Sequence, residues 1–139
     1  MSRINTYLSF NGNAAEAFNF YKSAIGGEFE RIQYFRDLPD HQVTEAEKNR
    51  IMHVALPVGD NLLMGCDTSE AFGNTVRMGS NFSISFSADS KDHADRLFSS
   101  LSEGGKISMP MNDTFWGAYF GMLIDKFGIN WMIDFDYAK

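Results

Sequence analysis

Asn13-Ala14-Ala15-Glu16-Ala17-Phe18-Asn19-Phe20-Tyr21-Lys22-Ser23-Ala24-Ile25-Gly26-Gly27 reads as a helix with both ends marked. Ala14, Ala17, Phe18, Tyr21 and Ile25 recur at helical spacing and form one apolar stripe. Asn13 stands three residues before Glu16, a capping-box pattern with Asn in the cap position. Gly26-Gly27 ends the segment, because glycine takes the left-handed conformation at a helix C-terminus without strain. The same design returns later. A shift of 78 residues puts Phe20 on Phe98 and Gly26-Gly27 on Gly104-Gly105. Asp89 or Ser90 caps this second helix, whose apolar face is Ala94, Leu97, Phe98 and Leu101.

Strand patterns surround both helices. Thr6–Phe10 alternates before the first helix, and residues 28–35, Ile51–Val58 and 61–66 follow it, with Gly59-Asp60 as a tight hairpin turn. Residues 81–88 alternate Phe82, Ile84 and Phe86 against Ser83, Ser85 and Ser87 before the second helix. Residues 106–111, 118–125 and 130–135 come after it. The last hairpins match at a shift of about 69, which sets Gly59-Asp60-Asn61 on Gly128-Ile129-Asn130. Strand, capped helix, Gly-Gly and three strands therefore occur twice, the mark of an internal repeat. The reading is α+β: a βαβββ unit over residues 1–67, a polar linker over 68–80 and a second unit over 81–139, together one domain. Either unit alone would expose one face of its sheet, so the expectation is a pair of curled mixed sheets forming a cup, with the helices outside. A cup of strands is a natural small-molecule pocket.

The bulk numbers agree with one such domain. The chain has 139 residues, 44% hydrophobic and 22% charged. Its net charge of −6 argues against nucleic-acid binding, which calls for a basic patch. No apolar run approaches bilayer-spanning length, no leader pattern opens the chain, and one cysteine suits a reducing compartment, so the expected location is cytoplasmic, without membrane attachment. Residues 37–50 make a long polar loop, read either as a lid or as a solvated excursion with a helical turn at residues 44–48.

Three stretches carry a resemblance. They are Tyr7-Leu8-Ser9-Phe10-Asn11-Gly12-Asn13 with Glu16-Ala17 and Phe20-Tyr21; Ile51-Met52-His53-Val54-Ala55-Leu56; and Asp113-Thr114-Phe115-Trp116-Gly117 followed by Gly121 and Asp125-Lys126-Phe127-Gly128-Ile129-Asn130-Trp131. Together they resemble the PhnB-like branch of the vicinal-oxygen-chelate superfamily, which includes glyoxalase I, fosfomycin-resistance proteins and extradiol dioxygenases. The resemblance spans nearly the whole chain. Members of this branch also carry the label 3-demethylubiquinone-9 3-methyltransferase. The chain shows no Gly-rich strand-to-helix loop followed by an acidic residue, as an S-adenosylmethionine-binding methyltransferase of the usual kind would.

The resemblance also implies where a metal would sit. Metal-using members converge His or Glu side chains from the first and fourth strands of each unit. The matching positions fall near Thr6, Leu63, Phe82 and Met132. A slip of one or two residues offers Ser9, Cys66, Ser83 or Asp134 instead. Neither set suits an oxygen- or nitrogen-binding divalent ion, so the expectation is no metal and no other cofactor.

The candidate pocket residues are Tyr7, Ser9, His53, Cys66, Phe115, Trp116 and Trp131. His53 is the one histidine on a clear strand, since His41 falls in the long loop and His93 near the second helix. It is either a satisfied strand residue or a pocket imidazole able to donate, accept or act as base. Cys66 is a small apolar filler or a thiol on the pocket wall; no cationic neighbour in sequence activates it. Phe115, Trp116 and Trp131 serve packing or give an aromatic face to a planar ligand. Asp113 and Asp125 are placed as turn residues.

Three functions follow: a metal-free binder of an aromatic or apolar small molecule, a metal-dependent lyase, isomerase or dioxygenase, and metal-free catalysis by His53 with Asp113 or Asp67. The resemblance also implies a homodimer in which sheet edges are covered.

Overall fold

The computed structural model describes residues 2–38, 44–70 and 76–138. His41 and the middle of the long loop lie outside them, as does part of the linker expected over 68–80. The chain divides into two compact units, Met1–Arg77 and Met78–Lys139. Each follows the same order.

The first unit runs β1 (Thr6–Phe10), α1 (Ala14–Ile25), β2 (Arg31–Tyr34), a 3-10 turn at Phe35–Asp37, β3 (Ile51–Val58) and β4 (Asn61–Asp67). Its mixed sheet has the order β1-β4-β3-β2, with β1 parallel to β4 and the other pairs antiparallel. The second unit runs β5 (Ile84–Ser87), α2 (Lys91–Ser102), β6 (Lys106–Asp113), β7 (Ala118–Ile124) and β8 (Asn130–Asp136). Its sheet repeats the order as β5-β8-β7-β6, again with one parallel pair. No helix among the described residues is long and apolar enough to cross a membrane.

Each helix buries its apolar stripe on one face of its own sheet. Ala14, Ala17, Phe18 and Tyr21 are buried on α1, and Ala94, Leu97, Phe98 and Leu101 repeat the same i, i+3, i+4, i+7 spacing on α2. A glycine receives each helix phenyl ring. A Cβ on Gly65 would lie 2.6 Å from Phe18 Cε1, and one on Gly121 would lie 2.9 Å from Phe98 Cε2. The strand carrying that glycine differs. Gly65 lies on the fourth strand of its unit opposite Val54. Gly121 lies on the third strand of its unit opposite Ile133.

Three local expectations are corrected. Asn13 makes no side-chain capping bond, and no capping box forms there. The Asp67 carboxylate accepts from the Gly12 and Ala14 N–H groups instead, and it is the better acceptor because it is charged and buried. The strand expected over 28–35 narrows to Arg31–Tyr34, because a bulge after Gln33 shifts its register against β3 and the chain then enters the 3-10 turn. The strand expected over 81–88 narrows to Ile84–Ser87; the Asn130 amide instead reaches back to the Gly79 and Phe82 carbonyls. The second helix is capped by Ser90, whose hydroxyl accepts from His93 N–H at 3.0 Å.

Candidate functional site

Strand alternation assigns a face to every side chain of the first sheet. Leu8, Phe10, Val54, Leu56, Leu63 and Gly65 are buried on the α1 side. Their neighbours therefore point to the helix-free face. The register lines these up in two rows. Arg31, Ala55, Met64 and Tyr7 form one, through the pairs Arg31–Ala55, Ala55–Met64 and Tyr7–Met64. The other contains Gln33 opposite His53 and Cys66 opposite Ser9.

Tyr7, Ser9, His53 and Cys66 are thus brought onto one surface by three strands. The Tyr7 and His53 rings lie 5.8 Å apart, tilted by 31°. Burial, and then the neighbouring Cys66 side chain, push the Tyr7 phenol above its usual range. It therefore stays neutral and remains a donor at physiological pH. Cys66 is half-buried and free of disulfide. Chemically this face offers an aromatic edge, a hydroxyl, an imidazole and a thiol beside an apolar Met64.

The polar groups beneath the sheet end have another task. Asp67 Oδ1 accepts from Gly12 and Ala14, and Oδ2 accepts from Ile51 N–H, each at 2.9 Å. Its acceptors are committed to backbone on the helix side, so it does not serve as a partner for His53. Arg50 donates to the Thr68 carbonyl at 3.1 Å and lies 3.7 Å from buried Glu47, which accepts from Ser69 Oγ and Glu70 N–H. An open depression of about 650 Å³, lined by Asn11, Gly12, Asn13, Ala46, Asn49 and Arg50, sits over this latch.

The second unit places its candidates differently. Trp131 is only 1% exposed, and its indole N–H donates to Asp125 Oδ2 at 2.9 Å. It lies on the α2 side of its sheet with Ile133 and Leu123, so it belongs to the core rather than to a pocket wall. Asp125 also accepts from Phe127 and Ile129 N–H, a turn role as read from the sequence. Phe115 is 97% exposed at the β6–β7 turn and stacks edge-on against Trp116 at 5.0 Å. Trp116 in turn meets Phe120 at 5.9 Å. Asp113 accepts the Tyr137 hydroxyl within this unit.

The register also tests the positions expected for a metal. Thr6 and Leu63 do pair, but they share the face of Leu8 and Gly65 and turn toward α1. Met132 pairs with Ser85 on the opposite kind of face, and Phe82 and Ser83 lie outside β5. The match at a shift of 69 is therefore one residue out of phase. The β7–β8 turn is longer than the β3–β4 turn, so equal spacing from glycine does not mean equal strand phase. On the helix-free faces the first and fourth strands present Tyr7 with Met64 and Ser9 with Cys66 in one unit. They present Ser85 with Met132 and Ser87 with Asp134 in the other, where Ser87 Oγ donates to Asp134 at 3.0 Å. These donors do not fit a divalent ion held by imidazoles and carboxylates. Among the described residues, no three His, Cys, Asp or Glu side chains stand together as metal ligands.

Arg31, Gln33 and Met64 complete the helix-free face but were not singled out in the sequence. Their signal was parity: each stands opposite a residue of known face, which requires the pairing to be known.

Comparison with known proteins gives this geometry its relatives. A family model described as 3-demethylubiquinone-9 3-methyltransferase matches residues 2–134. Protein YjdN of Escherichia coli K12 is 29% identical over 94% of this chain and 93% of its own. The crystal structure of protein PA1353 from Pseudomonas aeruginosa is 41% identical, covers 98% of both chains and superposes with a TM-score of 0.87. FosX, a fosfomycin resistance protein from Listeria monocytogenes, shares the fold at 8% identity, 95% and 91% coverage and a TM-score of 0.64. With the family model spanning nearly the whole sequence and the twin βαβββ fold behind it, the chain belongs to the 3-demethylubiquinone-9 3-methyltransferase-like (PhnB) family.

Proposed function

We propose that the chain binds a small aromatic or apolar molecule without a metal, on the helix-free face of the first sheet. Tyr7, Ser9, His53 and Cys66 would supply the contacts. One observation carries this reading. The Tyr7 ring leans on His53 at 5.8 Å and stands opposite Met64, which makes an aromatic and apolar surface on this face. A neutral phenol and an imidazole can orient a ligand's polar edge while its apolar body covers Met64 and the ring.

Thermal unfolding across a panel of planar aromatic compounds tests it. A binder at a hundred times its Kd should stabilise the folded chain by about 2.7 kcal/mol through mass action. Tyr7→Ala should remove the shift. No shift with any compound would count against the proposal. A stoichiometric transition metal in protein purified without chelators would replace it with a metal-dependent lyase, isomerase or dioxygenase.

A homodimer accompanies the proposal. Each four-stranded sheet ends in edge strands, which proteins pair or cover. A monomeric mass by light scattering would remove this part.

A further inference from the structure

We infer that the ligand of the first sheet is an organic anion, an apolar body bearing a carboxylate that Arg31 receives. The inference rests on the binding proposal above and names the class of molecule that face selects.

The argument starts from what the face lacks. The chain carries 18 acidic residues. The four strands of the first sheet contain a single carboxylate, Asp67. It is turned to the α1 side and spends its oxygens on three backbone N–H groups. The helix-free strand face is therefore free of acid in a protein of net charge −6. The second sheet differs, since Asp134 lies on its helix-free face.

The face also holds a cation with nothing to neutralise it. The Arg31 side chain is exposed and makes no ion pair or hydrogen bond among the described residues. Arg3, Arg36 and Arg50 are engaged by contrast: Arg3 with the Asp60 carbonyl, Arg36 with Asn49 and the Tyr34 ring, and Arg50 with Thr68 and Glu47. Arg31 begins the row Arg31–Ala55–Met64–Tyr7. That row spans three strand spacings, about 14 Å between the outer backbones. Ala55 between them is small and buried. An apolar ring lying over Met64 and Tyr7 would direct an attached carboxylate back toward Arg31, whose planar guanidinium takes a carboxylate with two parallel hydrogen bonds.

Calorimetric titration of the full chain with 2-naphthoate and with its neutral partner 2-naphthamide tests this. At low salt the carboxylate should bind about tenfold more tightly than the amide. Arg31→Gln should bring the two to equal affinity, and Arg31→Lys should keep part of the difference. Arg31 is exposed, so the variants should unfold at the wild-type temperature. Equal affinities in the wild type, with both lost in Tyr7→Ala, would overturn the anion preference while leaving the binding proposal intact. A preference that survives Arg31→Gln would overturn the role of Arg31. Failure of both compounds to bind would overturn this inference, and the binding proposal would then be judged by the wider panel.

Discussion

The Asp67 carboxylate, at the end of β4, accepts the Ala14 backbone N–H at 2.9 Å across 53 residues of sequence, so a strand caps the first helix. The same group holds Gly12 and the first residue of β3, Ile51. One side chain therefore fixes three elements of the first unit at a common corner. Asp67→Asn keeps the shape but replaces one acceptor oxygen with a donor facing buried N–H groups. Each unsatisfied buried donor costs about 1–3 kcal/mol, so the variant should lose at least one such increment. Urea unfolding measures it, and a midpoint equal to wild type would show that the corner is held by something else.

Gly65→Ala should destabilise the first unit. The new methyl would meet Phe18 Cε1 at 2.6 Å and the Leu8 carbonyl oxygen at 2.7 Å. The ring can move but the backbone oxygen cannot move cheaply, and overpacking of this kind costs about 1–3 kcal/mol. Adding Phe18→Leu should restore only part of the loss, because the clash with Leu8 remains. Full recovery of the thermal midpoint in the double variant would contradict this.

Tyr119 offers a readout in the second unit. Its hydroxyl donates to Asp95 at 2.6 Å, and that bond, followed by burial and the Asp95 charge, leaves its pKa pushed up to about 12. The neutral phenol is the form the fold favours. Its contribution to stability is complete below the unfolded value near 10 and is lost as pH rises toward 12. Ultraviolet titration should show a late phenolate step that Tyr119→Phe removes and Asp95→Asn moves down. A step at the same pH in Asp95→Asn would dismiss the carboxylate as its cause.

Cys66 is the chain's one cysteine, so alkylation reports on the helix-free face without ambiguity. Tyr7→Ala should speed its reaction with iodoacetamide, because the ring and hydroxyl that shield the thiol are gone. A ligand bound on this face should slow the reaction in the wild type. An alkylation rate unchanged at saturating ligand would place the ligand elsewhere.

Much of this architecture could be read from the chain. Both helices, with their stripes and glycine stops, stand where periodicity put them, and the repeat of strand order holds. Alternation also identified residues 6–10, 51–58 and 61–66 as strands. What it could not supply was phase between distant strands. The spacing from Gly128 suggested that Met132 answers to Leu63, and only the register shows that they occupy opposite kinds of face. Trp131 had two readings, packing or an aromatic wall, and pairing places it on the α2 side of its strand beside Asp125. The cap of α1 was hidden differently. Asn13 fits the local pattern, but a buried carboxylate arriving from β4 outcompetes a neutral amide, and no local window contains it. The grouping of Tyr7, Ser9, His53 and Cys66 was named residue by residue; their common face emerged from pairing.

The two glycines beneath the helix rings have exchanged strands between the halves, and this limits how the halves can be recombined. A chimera pairing β3 with β8 would set Val54 beside Ile133 under one phenyl ring. The reciprocal chimera would set Gly121 beside Gly65 and leave a hole. One product is overfilled and the other is hollow, so these duplicated halves are no longer interchangeable parts, even though their topology is identical.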